Sequence, residues 1–145
     1  MVPKMAFLGN YEHTLDDRGR VAIPAKYRAD FPGRLAVIIP LPEGCLQVYP
    51  EPAFREMLQD VRSKPVTDLA GRRLRRQFEG QSFEAELDRQ GRILIPARSR
   101  EKIGLDGTVI IVGTGECLEI WTPEGWEKEV EESTKVPSTG QERAD

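Results

Sequence analysis

Apolar residues along the chain follow two periodicities, and their order predicts two similar blocks of strands, each followed by helices. Alternating or continuous short apolar runs predict strands at residues 11–15, 20–23, 35–39 and 46–49, and again at residues 83–87, 92–95, 109–112 and 118–121. Apolar residues at helical spacing predict helices at residues 52–62, 68–78 and 123–132. Pro24 and Pro96 each suit the first turn of a short helix, at residues 25–30 and 97–103. This pattern indicates an α+β chain.

The two blocks are copies of one sequence. Residues 15–28 recur as residues 87–100, an offset of 72 positions. The same offset, without a gap, aligns residues 37–39 with residues 109–111, and Cys45 with Cys117. A copy of roughly 50 residues buries little surface by itself and leaves strand edges open. We therefore expect the copies to interlock around a pseudo-two-fold axis in one β-barrel-like core with flanking helices.

The repeat also predicts a division of the chain. The first unit is placed at residues 7–53, a helical connector at residues 54–80, and the second unit at residues 81–125. Residues 126–145 are predicted to form a final helix and a disordered acidic tail, since the last residues are polar and contain Pro137 and Gly140.

The most informative motif is Asp-x-x-x-Arg, which occurs once in each copy between the first two strands. A glycine before the arginine allows positive φ, which is typical of a hairpin turn. The motif residues are Asp16, Gly19 and Arg20 in the first copy and Asp88, Gly91 and Arg92 in the second. Two interpretations stay open: the arginine points outward to a ligand, or the aspartate and arginine hold the turns together across the pseudo-axis.

Basic residues cluster around the first motif. Arginine suits bidentate contacts with phosphate and guanine, so this cluster is a candidate DNA-binding surface. Its members are Arg18, Arg20, Lys26 and Arg28. The second copy carries Arg89, Arg92, Arg98, Arg100 and Lys102. Residues 61–78 contain six basic residues and one acidic residue, Asp68. The basic residues are interpreted as a solvated helix face or as a second phosphate-binding patch.

Composition excludes several classes of function. The net charge of −3 argues mildly against binding to nucleic acid. However, an acidic C-terminal stretch accounts for this charge, and the rest of the chain is nearly neutral. The single histidine, His13, lacks a matching histidine in the second copy, and no cluster of His and Cys is spaced for a metal. We expect no enzyme, no cofactor, no metal, no small-molecule substrate and no membrane segment, and a cytoplasmic location. Cys45 and Cys117 are interpreted as buried apolar residues or, alternatively, as a redox pair.

Residues 7–11 and 15–28, together with the duplicated Asp-x-x-Gly-Arg motif at residues 87–96, resemble the bacterial MraZ family. That family carries two SpoVT/AbrB-like units in one chain. The resemblance implies a transcriptional regulator of the division and cell-wall gene cluster, including its own promoter, that binds direct repeats of DNA. It also implies a homo-oligomeric ring on the nucleoid, with DNA contact by the first turn at Arg18 and Arg20.

Two departures from the family pattern bear on this expectation. Residues 1–6 precede Phe7, whereas family members usually begin Met-Phe. The second turn has Arg89 and Gln90 where the first has Asp17 and Arg18, so the two turns need not be equivalent on DNA. The alternative function is an assembly protein that uses the double unit for oligomerisation without reading DNA.

Overall fold

Residues 7–135 are described in the computed structural model, and they contain eight strands and four α-helices. The strands are β1 (Asn10–Thr14), β2 (Arg20–Ala22), β3 (Leu35–Pro40), β4 (Leu46–Pro50), β5 (Phe83–Glu86), β6 (Arg92–Leu94), β7 (Thr108–Gly113) and β8 (Leu118–Trp121). The α-helices are α1 (Glu51–Arg62), α2 (Leu69–Arg75), α3 (Ala97–Ile103) and α4 (Pro123–Thr134). This mixture of helices and antiparallel strands confirms the predicted α+β class.

The predicted strands are all present, with ends that differ by at most one residue. The short helix after Pro24 is a 3-10 helix at Ala25–Asp30, followed by another at Pro32–Arg34. Its counterpart α3 is an α-helix, which Gly104 ends in the left-handed conformation. The helix predicted at residues 68–78 is divided into α2 and a π-helical turn at Arg76–Gly80. The predicted tail beyond residue 135 lies outside the described residues.

Most strand pairs join one copy to the other. The large sheet has the order β1-β7-β8-β4-β3-β5, and β2 pairs with β6 in a separate two-stranded ribbon. Among the strands of residues 7–135, β3–β4 and β7–β8 pair within a copy, whereas β1–β7, β3–β5, β4–β8 and β2–β6 pair between copies. Each copy therefore supplies backbone partners that the other copy lacks.

The hairpin predicted between the first two strands of each copy is wrong. β1 pairs with β7 and β2 pairs with β6, so β1 and β2 belong to different sheets. The chain leaves β1 while still bonded to the second copy, because the Leu15 amide donates to the Gly107 carbonyl at 2.8 Å. The turn at residues 16–19 then redirects the chain from the large sheet into the ribbon.

The gapless repeat alignment is also wrong in the third strand. Tyr11 and Phe83 are equivalent at the offset of 72, yet Tyr11 pairs with Ile111 and Phe83 pairs with Ile38. Ile38 therefore corresponds to Ile111, an offset of 73. Since side chains alternate between the two faces of a strand, this one-residue shift decides which residues of β7 enter the core.

The core lies between the large sheet and the ribbon. Residues from both copies form one cluster there, including Val21 and Ile93 of the ribbon and Ile38, Leu46 and Ile120 of the sheet, each fully buried. On the opposite sheet face, α1 covers a cluster around Tyr49, and α4 covers one around Trp121. Closure of the sheet into a barrel stays a prediction. Within residues 7–135, no helix is long and apolar enough to cross a membrane.

Candidate nucleic-acid interface

The first turn is closed by a single aspartate. Asp16 Oδ1 accepts the amides of Arg18 at 2.9 Å and Arg20 at 2.8 Å. The Asp16 amide donates to the Arg20 carbonyl, and the Gly19 amide donates to the Asp16 carbonyl. Gly19 has φ +86°, a conformation that favours glycine. These bonds and the positive φ explain why the sequence has Asp at the first position of the turn and Gly at the fourth.

The second turn has the same backbone geometry. Asp88 Oδ1 accepts the amides of Gln90 and Arg92, each at 2.9 Å, and Gly91 has φ +75°. The two tips differ, because the first exposes Asp17 and Arg18 and the second exposes Arg89 and Gln90.

The two motifs meet in a network of four charged side chains. Arg20 Nε donates to Asp16 Oδ2 at 2.8 Å, and Arg92 Nε donates to Asp88 Oδ2 at 2.9 Å. Each arginine also approaches the aspartate of the other copy, with Arg92 Nη1 3.6 Å from Asp16 Oδ2 and Arg20 Nη1 4.0 Å from Asp88 Oδ2. All four side chains remain about a quarter to a third exposed. The network thus ties the turns together at the surface.

The hydrogen bonds in the turns stabilise the charged aspartates. The Arg20 amide, and then the Arg20 side chain and the Arg18 amide, lower the pKa of Asp16 to about 2. The Arg92 amide and side chain and the Gln90 amide likewise lower the pKa of Asp88. Both carboxylates are therefore ionised at neutral pH, and the network carries two positive and two negative charges.

Arg28 was predicted to bind DNA, and the structure places it against the second turn. Its Nε donates to the Ile23 carbonyl at 3.0 Å, and the side chain lies where a Cβ on Gly91 would be. The repeat equivalent, Arg100, donates to the Ile95 carbonyl at 2.9 Å and covers Gly19 in the same way. Each turn thus needs glycine for contact with the other copy as well as for φ. This role of Arg100 is not among the predictions from the sequence, although the repeat relates Arg100 to Arg28.

Lys26 lies on an aromatic surface near the first turn. Its Nζ is 4.9 Å from the ring centre of Tyr11 and 5.1 Å from that of Tyr27, within the range of cation–π attraction. The nearby Tyr11 side chain is the main cause that raises the pKa of Lys26. The tyrosines also fix the segment before β1, since Tyr27 Oη donates to the Leu8 carbonyl at 2.8 Å. Lys26 remains exposed and positively charged.

Arg18 differs from the other predicted DNA-binding residues in its surroundings. It is exposed at the tip of the first turn, and among residues 7–135 its guanidinium has neither a hydrogen bond nor an ion pair. The nearby ribbon presents Arg20 opposite Leu94 and Arg92 opposite Ala22. Leu94 is 52% exposed. The two tips and the ribbon between them therefore form one candidate interface.

Other residues considered for chemistry lie elsewhere. His13 is half-buried in β1, and no group of three or more His, Cys, Asp or Glu side chains within the described part is placed to hold a metal ion. Cys45 and Cys117 are free and buried in different apolar clusters, as the interpretation of small buried residues requires. Burial raises the pKa of both thiols, that of Cys117 to about 11, so neither is a thiolate at neutral pH.

The chain matches a protein-family model described as "MraZ protein, putative antitoxin-like" twice, over residues 6–77 and 78–145. The chain belongs to the MraZ family. Relatives carry the name "Transcriptional regulator MraZ". The protein of Moorella thermoacetica is 41% identical over 88% of this chain and 89% of its own length. That of Thioalkalivibrio sulfidiphilus is 40% identical over 87% of this chain and 86% of its own length.

A third MraZ relative, from Leuconostoc citreum, is 35% identical over 89% of this chain and 90% of its own length. These alignments span nearly the whole chain, so the similarity to the MraZ relatives covers both copies. The solution structure of PHS018 from Pyrococcus horikoshii superposes with a TM-score of only 0.32 at 20% identity, over 80% of this chain and 89% of that chain.

Proposed function

We propose that this chain is a sequence-specific DNA-binding transcriptional regulator. It acts on the division and cell-wall gene cluster, including its own promoter, through direct repeats, and it works in the cytoplasm on the nucleoid. The name of its MraZ relatives, which describes transcriptional regulators rather than enzymes, supports this role. Double-stranded DNA is the partner, and no small molecule or cofactor is required.

The core that carries the interface is proposed to be an interlocked, pseudo-two-fold β-barrel-like unit. Its support is the pairing of β1 with β7, β3 with β5 and β4 with β8 between copies. The proposed units remain residues 7–53 and 81–125, joined by the connector at residues 54–80. With such pairing, both turns are anchored in the same core, and the ion pairs between the motifs hold the two tips on one surface.

The observation that carries the proposal is the unpaired guanidinium of Arg18 beside the ion-pair network. Arg20 and Arg92 have carboxylate partners at 2.8 and 2.9 Å, so much of their charge is compensated within the protein. Arg18 has no such partner among the described residues and projects from the tip. An exposed arginine offers five donors to phosphate or to the O6 and N7 atoms of guanine.

Arg20 is proposed to contribute in two ways. Its Nε is engaged by Asp16, while its side chain is still 29% exposed and retains donors for a groove or a phosphate. Lys26 adds a positive charge close to the first turn, and Arg28 supports the second turn from beneath Gly91. DNA recognition is therefore assigned to Arg18 and Arg20, with Lys26 and Arg28 at the margin of the interface.

Assembly into a homo-oligomeric ring completes the proposal. One chain offers few contacts with DNA, and several linked chains gain affinity because each further contact is made at high effective concentration. Head-to-tail contacts repeat the same orientation, which suits direct repeats in DNA better than palindromes.

The test is a binding titration on the DNA upstream of this protein's own gene. We expect Arg18→Ala and Arg20→Ala each to lower affinity at least about tenfold, in line with about 1–3 kcal/mol for a good arginine contact. Arg92→Ala is expected to have a smaller effect. Arg55→Ala is the control, because Arg55 is exposed on α1, which packs on β3 and β4. Wild-type affinity in both Arg18→Ala and Arg20→Ala would contradict the proposed interface.

A second candidate function, an assembly module that does not read DNA, is favoured by one observation. The two aspartates and two arginines of the repeated motif already bind one another. If that is their whole role, Arg20→Ala and Arg92→Ala lower the melting temperature or the oligomer mass equally, and no DNA duplex from the gene's upstream region is bound specifically. Melting curves, light scattering and titrations on the same two variants distinguish the candidates.

A further inference from the structure

Two helical surfaces at opposite halves of the large sheet carry opposite charge and are exposed to solvent. The first is the basic face of α2 and of the π-helical turn that follows it: Leu69, Ala70, Arg73, Leu74 and Gln77 line a shallow groove of about 530 Å³, and Arg76 follows Arg73 by three residues. The second is the acidic face of α4, made by Glu124, Glu127, Val130 and Glu131. We propose that the basic face of α2 binds the acidic face of α4 of a second copy of this chain. This inference rests on the assembly part of the proposed function, and it names the contact.

The basic face combines exposed apolar groups with unpaired bases. Leu69 is 45% exposed, and Val66 just before α2 is 55% exposed. Arg73 and Arg76 are exposed and have no ion pair or side-chain hydrogen bond among the described residues. Their neighbours are already engaged: Arg62 binds Glu79 at 2.9 Å, and Arg75 donates to the Lys64 carbonyl at 3.1 Å. Two positive charges beside an apolar groove are therefore available to a partner.

The acidic face has the complementary composition. Val130 is 41% exposed on α4. Glu124, Glu127 and Glu131 are spaced three and four residues apart, so they form one line along the helix beside Val130. All three are exposed and unpaired within residues 7–135, whereas Glu132 already binds Lys135 at 3.1 Å. An apolar residue flanked by three free carboxylates matches an apolar groove flanked by two free guanidinium groups.

The two faces belong to opposite halves of the large sheet. α4 packs on β7, whereas α2 packs on α1, which lies on β3 and β4. β7 and β3 are separated in the sheet by β8 and β4. Basic faces repel each other, and so do acidic faces, so a two-fold contact of like with like is unfavourable. The favoured contact sets α2 of one copy against α4 of another, and because the two faces lie in opposite halves of the sheet, it can repeat head-to-tail from chain to chain.

Of the two equivalent helices α1 and α4, α4 is the more acidic. They are repeat equivalents, but the basic connector follows α1, while α4 carries five acids and one lysine. Another groove, of about 610 Å³ between α1 and β5, is lined by charges of both signs, including Glu51, Arg55 and Glu84. Charge complementarity with α4 therefore favours the α2 groove.

The test is a charge swap followed by light scattering at micromolar concentration. Arg73→Glu and Glu127→Arg should each raise the dissociation constant of the oligomer at least about tenfold. The double variant carrying both changes should restore assembly, because the opposed charges are then exchanged. Raising ionic strength to about 1 M, where screening acts within about 3 Å, should weaken the wild-type oligomer. Arg98→Glu and Glu101→Arg, both exposed on α3, are the matched controls and should assemble as wild type.

Three outcomes overturn the proposal. These are a wild-type chain that is monomeric at micromolar concentration, single variants that assemble normally, and a double variant that fails to recover although it melts as wild type. If either single variant melts at a lower temperature, Arg76→Glu and Glu131→Arg repeat the test at neighbouring positions. DNA affinity measured on the same variants separates the two proposals. Normal assembly with retained DNA binding refutes this contact and leaves the regulator role standing.

Discussion

The two turns of the molecule have the same internal bonds and different tips. In each, one aspartate accepts two amides and one arginine Nε, and an arginine from the other copy covers the turn glycine. The tips expose Arg18 in one case and Gln90 in the other. Divergence is confined to side chains that take no part in closing the turns. The shared motif therefore maintains the shape of the surface, while the tip residues are available for recognition.

The largest expected effect comes from separating the copies. A fragment of residues 5–66 contains β1 to β4 but loses the partners β7, β5, β8 and β6. We expect it to be unfolded or aggregated, because its apolar residues and strand edges are left uncovered. Circular dichroism melting against the full chain measures this. A soluble monomeric fragment with a cooperative transition would show that one copy is sufficient.

Alanine at the two turn glycines should come next. Gly19→Ala and Gly91→Ala strain a positive φ and also displace Arg100 or Arg28 from a hydrogen bond with a carbonyl. We expect a loss of roughly 2–4 kcal/mol in urea unfolding. Gly44→Ala is the matched control, since Gly44 has φ +94° with open space around it, and it should cost roughly 1–2 kcal/mol less. Equal losses at all three positions would show that the arginine contacts contribute nothing.

Exchange of the tips should have a moderate effect on DNA binding alone. Arg18→Gln makes the first tip resemble the second, and we expect about a tenfold loss of affinity without a change in melting temperature. Gln90→Arg added to that variant tests whether the second turn can replace the first. Full recovery would mean that the turns are equivalent on DNA, and no recovery would mean that recognition depends on the first turn.

The smallest expected effect is a dependence of stability on acid. Because folding lowers the pKa of Asp16 to about 2 from a usual 3.8, its contribution is present above about pH 4 and is lost as the pH falls toward 2. The melting temperature of wild type should therefore decrease in that range, and that of Asp16→Asn should decrease less. Asp88→Asn should behave alike, since the pKa of Asp88 is also lowered. An unchanged acid dependence in both variants would indicate that other carboxylates control it.

Local patterns in the sequence determined where the strands and the two turns of this protein lie. The alternation of apolar residues placed the strands within one residue of their ends, and the spacing of aspartate, glycine and arginine located both turns. The repeat also related Cys45 to Cys117 and Arg20 to Arg92, and both pairs occupy matching positions in the structure. These features depend on neighbours a few residues away, so their physical causes can be read along the chain.

Strand partners and side-chain partners were decided only by the tertiary structure. The sequence suggested that β1 and β2 form a hairpin, but backbone groups bind whichever edge lies beside them, and β7 provides that edge for β1. The one-residue shift in β7 was hidden because Val109, Ile110 and Ile111 are all apolar, and only the packing distinguishes their faces. Arg28 and Arg18 likewise look alike as basic residues of one cluster. One packs against Gly91 from the other copy, and the other remains exposed, because long-range folding brings a partner to one of them only.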